Sequence, residues 1–269
     1  MFFYEELLNL DFLRIKDIIV TLLTIDMKII STVSQPSLGD IQVTYTNSEH
    51  DCGIWLENNV YSINDYILSF DTESLSQSDN IEVLILSTSL ATLVIHVTYF
   101  EFSDSKDSTT GCLRKLLLDS RITFVGVEIS GDVALVTAKL KEGLFASEAD
   151  IISDQSRESG SMKAHVKVCD CSRLAQSYFK KNPPGPSKLG LAGLTQFLYP
   201  EVKNWKPKNW LGFRQKQQLF QWTNNPLQSW QIEYCALDGW NGRLVYDSLV
   251  SKITSELIDA CTQTVLVTY

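Results

Sequence analysis

The sequence predicts an α/β fold: a single domain built on a mixed β-sheet flanked by α-helices on both faces. Three observations predict it. Short β-rich runs at 41–46, 66–70, 81–87 and 93–99 crowd the first hundred residues. One continuous apolar run, 122–127, has the character of a strand in the middle of a sheet covered on both sides. Segments with helical apolar spacing then alternate with the remaining β-rich run. A chain of 269 residues that is 44% hydrophobic, with only 13 Gly and 7 Pro, has ample material for one core.

From Phe2 to Ile30 apolar residues such as Leu7, Leu10, Leu13, Ile18 and Leu22 recur at helical spacing, so residues 1–35 are expected to form an N-terminal helical extension. Residues 34–37 read as a loop. The strands at 41–46 and 66–70 are joined by a polar stretch containing Asp51, Asn58 and Asn59. The runs 81–87 and 93–99 read as an antiparallel hairpin. A short helix at 112–118 precedes the central strand, and after Ser130 and Gly131 the pattern Val133, Leu135, Val136, Leu140 turns helical, which puts Asp132 at a helix start. The polar segment 148–162, within an insertion at about 146–163, is read as a surface excursion. Residues 165–171 alternate as a last strand and lead into a helix at 173–179; 180–187 is a loop, and 190–199 is a helix stopped by Pro200. A long helical region runs from Pro226 to Ile253, and 256–269 is left as a C-terminal tail.

The net charge of −9 and pI near 4.9 argue against nucleic-acid binding only if the charge is even. Between Arg173 and Lys216 nine cations stand against the single acid Glu201, a basic stretch on an acidic body. Within it, residues 204–210 interleave tryptophan with lysine, a composition suited to stacking on bases and neutralising phosphates; Lys206, Lys208, Trp210 and Arg214 are the candidate nucleic-acid contacts. Lys and Trp also cover apolar surface in ordinary proteins, so the stretch is open to both readings. The six cysteines follow no disulfide framework, Glu5, Glu6 and Asp11 occupy the place of a basic leader region, and the apolar run 18–25 is too short to span a bilayer. A soluble, intracellular protein of nucleus or cytoplasm, with no membrane partner, is expected. His165, Cys169 and Cys171 invite a zinc site, but a fourth ligand at sensible spacing is missing.

The chemistry-bearing residues are acids. Asp71 and Glu73 end the apolar strand at 67–70 with spacing i, i+2, which on a strand places both side chains on one face about 7 Å apart. Alone they are an ordinary acidic strand end. Asp132 at a helix start is, alone, an ordinary cap. Tyr234 and Asp238 lie one turn apart on one helix face.

In this order the set resembles the DEDD nucleases, and in particular the Werner-syndrome-type 3′→5′ exonuclease domain, over about Gly39 to Leu249. Phe70-Asp71-Thr72-Glu73 is similar to the family's first motif. The stretch from Val125 to Asp132 is similar to the second, and Trp222 to Leu227 followed by Tyr234-Cys235-Ala236-Leu237-Asp238 is similar to the third. Position 233 is Glu and no histidine follows His165, so the resemblance is to the tyrosine subclass. It implies a ribonuclease-H-like sheet, an exonuclease domain at 36–255, and a metal-dependent enzyme that releases nucleoside 5′-monophosphates from DNA or RNA 3′ ends. It further implies that Asp71, Glu73, Asp132 and Asp238 bind two Mg²⁺ or Mn²⁺ ions, with Asp71 bridging both, Glu73 and Asp238 completing one site, and Asp132 anchoring the other. Tyr234 would orient the attacking water, since a free phenol pKa near 10 makes it a poor base at neutral pH.

Two alternatives stand beside this reading. One is a catalytically silent exonuclease-like module that binds nucleic acid or a partner protein as a scaffold, although all four acids and the tyrosine are kept. The other is a ribonuclease-D-like RNA processor, whose extra helical domains would need more than the roughly twenty residues after Leu249. DNA or RNA preference and oligomeric state are not assigned.

Overall fold

In a computed structural model of the chain the described residues are 23–25, 28–35, 39–74, 80–100, 111–141, 163–181, 185–186, 189–202, 221–253, 258 and 261–268. Nine strands occur among them: β1 (Leu23–Ile25), β2 (Lys28–Gln35), β3 (Gly39–Thr46), β4 (Ile67–Glu73), β5 (Val83–Ser87), β6 (Ala91–His96), β7 (Thr123–Gly126), β8 (Lys163–Asp170) and β9 (Thr262–Thr268). They form one sheet in the order β1-β2-β3-β6-β5-β4-β7-β8-β9. The antiparallel run β4-β5-β6 is the hairpin pair expected from the sequence plus the strand before it. Parallel pairing of β6 with β3, of β4 with β7 and of β7 with β8 makes the sheet mixed.

The helices are α1 (Glu49–Leu56), continued by a π-helical turn over Glu57–Tyr61, then α2 (Cys112–Leu118), α3 (Ser130–Lys141), α4 (Cys171–Lys181), α5 (Leu191–Leu198) and α6 (Ser229–Val250). Period-two alternation sorts the strand residues between two layers. Leu84 and Leu86 of β5, with Leu68 and Phe70 of β4, pack against Trp55 and Leu56 of α1, Leu113 and Leu116 of α2, and Val133 of α3. Val83 and Ile85 of the same β5 face the opposite way, onto Ile232, Ala236 and Trp240 of α6. Further along that second face Val125 and Cys169 meet Leu174 of α4, Leu194 of α5, and Val245 and Leu249 of α6. Each fully buried Leu, Ile or Phe here is worth about 1.5–3 kcal/mol. The α/β prediction, with helices on both faces of a mixed sheet, holds.

Three local expectations do not. The helical reading of residues 1–35 fails in its described part, because Leu23–Ile25 and Lys28–Gln35 are strands; β2 pairs along β3 from Ile29↔Tyr45 to Gln35↔Gly39. Periodicity misleads there: Ile29, Ile30 and Val33 suit either period, and pairing with a buried strand decides it. The polar stretch after β3, read only as a join between two strands, is α1, capped by Ser48, whose side chain accepts from Asp51 N, and burying Cys52, Trp55 and Leu56. Residues 163–170 are not the last strand, since Thr262–Thr268, expected as tail, adds antiparallel to β8. Among the described residues no helix is long and apolar enough to cross a membrane. Residues 142–162, which cover most of the expected insertion, lie outside the described residues.

One ion network fixes α6 to the sheet. The Arg243 guanidinium donates to both Asp65 oxygens at 3.0 and 2.9 Å, to the Ile67 carbonyl, and to both Asp247 oxygens at 3.0 Å. Asp65, just ahead of β4, and the first residue of β4 are thereby bound to one point on α6.

Candidate active site

The alternation that buries Leu68 and Phe70 on one side of β4 places Ser69, Asp71 and Glu73 on the other, under α6. Asp71 pairs across the sheet with Ile85, and Glu73 with Val83. Asp238 is carried by α6 and is 4% exposed. What brings it down onto β4 is the pair Gly239 and Gly242. A Cβ at Gly239 would collide with the Ser87 hydroxyl and come within 2.7 Å of Ile85 Cγ2, and one at Gly242 would collide with the Ser69 hydroxyl. The helix rides on the sheet at backbone distance, and the residue before the first glycine delivers its carboxylate beside Asp71.

As a result one carboxylate oxygen from each of Asp71, Glu73 and Asp238 lies within 4.8 Å of the others. These are hard oxygen donors with no thiol or imidazole among them, the set that Mg²⁺ or Mn²⁺ takes. Three carboxylates this close repel one another, and a divalent cation removes that repulsion. The residues fit such an ion.

Tyr234 belongs to the same site. Burial, then the negative charges of Asp238, Glu73 and Asp71, push its phenol far above the usual tyrosine value, and it shares a hydrogen bond with Asp238. A phenol so placed keeps its proton and stays a neutral hydrogen-bonding group.

Asp132 stands in the first turn of α3, as expected. It is not part of the three-oxygen set; it is bound to β4 through Thr72, whose hydroxyl donates to Asp132 Oδ1 at 2.5 Å. Burial raises the Asp132 carboxyl above the usual range, opposed by that Thr72 bond. Thr72 is the residue between Asp71 and Glu73, so the strand end that carries the acid pair also ties down the fourth acid. The turn before α3 is held by Asp170, which ends β8 and accepts from Glu128 N at 3.3 Å and Ser172 N at 2.8 Å, while Glu128 adopts φ 62°. Lys206, Lys208, Trp210 and Arg214 lie outside the described residues. Cys169 and Cys171 are fully buried in the core, and burial pushes the Cys169 thiol up to about 11.

Sequence reasoning missed Thr72, Asp170, Arg243 and the glycine pair. Only the glycines carried a signal: two of them three residues apart inside a long helix mark a close approach.

The close approach at Gly239 is testable without any metal. Gly239→Ala gains up to about 1 kcal/mol of helix propensity but forces a side chain into a closed contact at a cost of about 1–3 kcal/mol. We expect a net loss of stability in urea titrations, and Ser87→Gly in the same chain should recover part of it, since the Ile85 contact remains.

No protein-family model matches the chain. In sequence it is 26% identical over 202 residues to a protein of Acanthamoeba polyphaga mimivirus that bears a provisional name as a 3′-5′ exonuclease; the match covers 72% of this chain and 42% of that protein. The chain thus spans less than half the length of that relative. In structure it is similar to the Aedes aegypti Nibbler EXO domain, with a TM-score of 0.56 and 16% identity, covering 86% of this chain and 98% of that one. It is also similar to Trypanosoma brucei RNase D in complex with GMP, with a TM-score of 0.53 and 13% identity, covering 80% and 58% of the two chains. The chain therefore has the ribonuclease-H-like fold of 3′-5′ exonuclease domains, with an acidic cluster at the end of its β4 strand and sequence similarity to an exonuclease over most of its length.

Proposed function

We propose that the chain is a divalent-metal-dependent 3′→5′ exonuclease of the DEDD superfamily, tyrosine subclass and Werner type, acting on DNA or RNA 3′ ends. The observation that carries this reading is the meeting of Asp71, Glu73 and Asp238 within 4.8 Å, with Tyr234 one helical turn before Asp238. The exonuclease unit is taken as 36–255, with the flanking strands added to the edges of its sheet.

Asp71, Glu73 and Asp238, joined by Asp132, which is hydrogen-bonded to Thr72 between the first two, are the residues that would hold two ions. When bound, the ions supply Lewis-acid activation of water and charge neutralisation at the leaving 3′-oxygen. The chain's own residues do the rest. Asp71, on a strand held in register from Ile67 to Glu73, would be the ligand shared by both ions. Thr72 restrains the rotamer of Asp132 by its hydrogen bond. Tyr234 cannot act as base, because its proton is held by burial and by three neighbouring carboxylates; its hydroxyl oxygen, which can also accept, would orient the attacking water. Hydrolysis of the terminal phosphodiester then releases a nucleoside 5′-monophosphate. Lys206, Lys208, Trp210 and Arg214 would grip the phosphates and stack on the bases behind the cleaved end.

The test is a time course on 5′-labelled single-stranded DNA, recessed-end DNA and RNA, with Mg²⁺, Mn²⁺ or EDTA. Stepwise shortening from the 3′ end, abolished by EDTA, is expected. Intact substrate under every condition would overturn the reading and leave a silent binding module. Reversing charge at Lys206 and Lys208 should weaken substrate binding and lower the dependence of KM on salt by about one counterion for each phosphate that is no longer neutralised; an unchanged salt slope would make that stretch ordinary surface.

A further inference from the structure

Beside the acidic cluster runs a hydrogen-bond chain that the exonuclease reading does not use. Leu227 N–H donates to the Tyr45 hydroxyl of β3 at 3.1 Å, the Tyr45 hydroxyl lies 2.8 Å from His96 Nδ1 of β6, and His96 Nε2 lies 2.9 Å from the Trp222 carbonyl oxygen. A carbonyl only accepts, so Nε2 carries the hydrogen. In the neutral imidazole Nδ1 then accepts from the Tyr45 hydroxyl. His96 is fully buried, and burial keeps it below the usual histidine range. Tyr99 adds a parallel restraint: its hydroxyl donates to the Thr223 carbonyl at 2.9 Å, and its ring stands edge-on to His96 at 4.8 Å. These bonds hold the segment before α6 against the ends of β3 and β6. That segment carries Trp222, whose buried indole sits 6.0 Å from the Tyr234 ring at an interplanar angle of 43°.

We propose that His96 is a positioning residue: through the Trp222 carbonyl it fixes the indole against which Tyr234 packs, and so aims the phenol at the acidic cluster. This rests on the reading of Tyr234 as the group that orients water. A phenol that pivots on α6 needs a wall on its open side to hold one direction, and displacement by about 1 Å is enough to cost about a hundredfold in turnover.

Two substitutions separate the ends of the imidazole. His96→Gln keeps an amide N–H near the place of Nε2 and retains the bond to Trp222. His96→Asn keeps an acceptor near Nδ1, retains Tyr45 and releases Trp222. On a single-stranded oligonucleotide with Mn²⁺, the Asn variant is expected to lose about ten- to a hundredfold in kcat with KM unchanged, whereas the Gln variant stays close to wild type. In a Tyr234→Phe background the Asn change should add nothing, because both act through one phenol. A second readout needs no activity: 3-fluorotyrosine placed at position 234 should show a displaced fluorine resonance in the Asn variant and an unmoved one in the Gln variant. If the Asn variant fails to fold, Trp222→Phe carries the test, since it keeps the carbonyl bond, changes the wall, and should move both readouts. An inactive wild type would sink the exonuclease reading while the fluorine resonance still decides the linkage. Equal losses in the Gln and Asn variants, additivity with Tyr234→Phe, or an unmoved resonance in both the Asn and Trp222→Phe variants would overturn the proposal.

Discussion

Asp71→Asn is expected to lower turnover at a 3′ end by about a thousandfold or more, since the shared metal ligand proposed above would support several kcal/mol of transition-state stabilisation and each 1.36 kcal/mol is a factor of ten. The change is isosteric, removes one charge, and leaves the β4 register with β5 untouched. Its effect on the metal-free protein should have the opposite sign. Asp71, Glu73 and Asp238 repel one another in the absence of an ion, so the Asn variant should melt no lower than wild type, and higher at low salt. Mn²⁺ should raise the melting temperature of the wild type and hardly that of the variant. Asp238→Asn should behave alike in activity. Both variants hydrolysing at the wild-type rate would show that the chemistry lies elsewhere, whatever the cluster binds.

The largest expected loss of stability is at Arg243. Its guanidinium is surrounded by Asp65, Asp247 and the Ile67 carbonyl, with only 10% of the side chain exposed. Arg243→Ala strands the Asp65 carboxylate, 15% exposed, without its main counterion; breaking such a pair by removing one partner costs about 3–5 kcal/mol. The Asp247 side chain is 41% exposed, so water takes over much of its charge and the lower end of that range is expected. Urea denaturation measures it directly. A shift under about 1 kcal/mol would mean that the network is solvent-screened and that packing alone holds α6 on the sheet.

The sequence showed the acids because their backbone context is local: an apolar strand ending in Asp71 and Glu73, and a helix repeating one turn from Tyr234 to Asp238. It did not show why these stretches meet. That depends on Gly239 and Gly242 facing Ser87 and Ser69, a complementarity between segments far apart in the chain. Nor could it show that Thr72, a residue with no chemistry of its own, is the tie to Asp132. Asp170 and Arg243 were hidden for the same reason, because a buried charge declares itself only through its partners. In the misread β2 tertiary pairing outvoted periodicity, since Ile29 and Ile30 fit a helix until β3 offers its edge; α1 went unassigned because the polar residues of 49–61 conceal the buried Cys52, Trp55, Leu56 and Val60.

Strands β2 and β9, which flank residues 36–255, have a bearing on what the chain must avoid as well as on what it does. Every candidate ligand in the three-oxygen set lies between β4 and α6, yet β2 and β9 satisfy the outer backbone groups of β3 and β8. A bare row of amides and carbonyls on either of those strands would be a template for another chain. Strands β2 and β9 therefore cover those rows while contributing no residue to the three-oxygen set, and the edges of the sheet fall instead on the three-residue β1 and on β9.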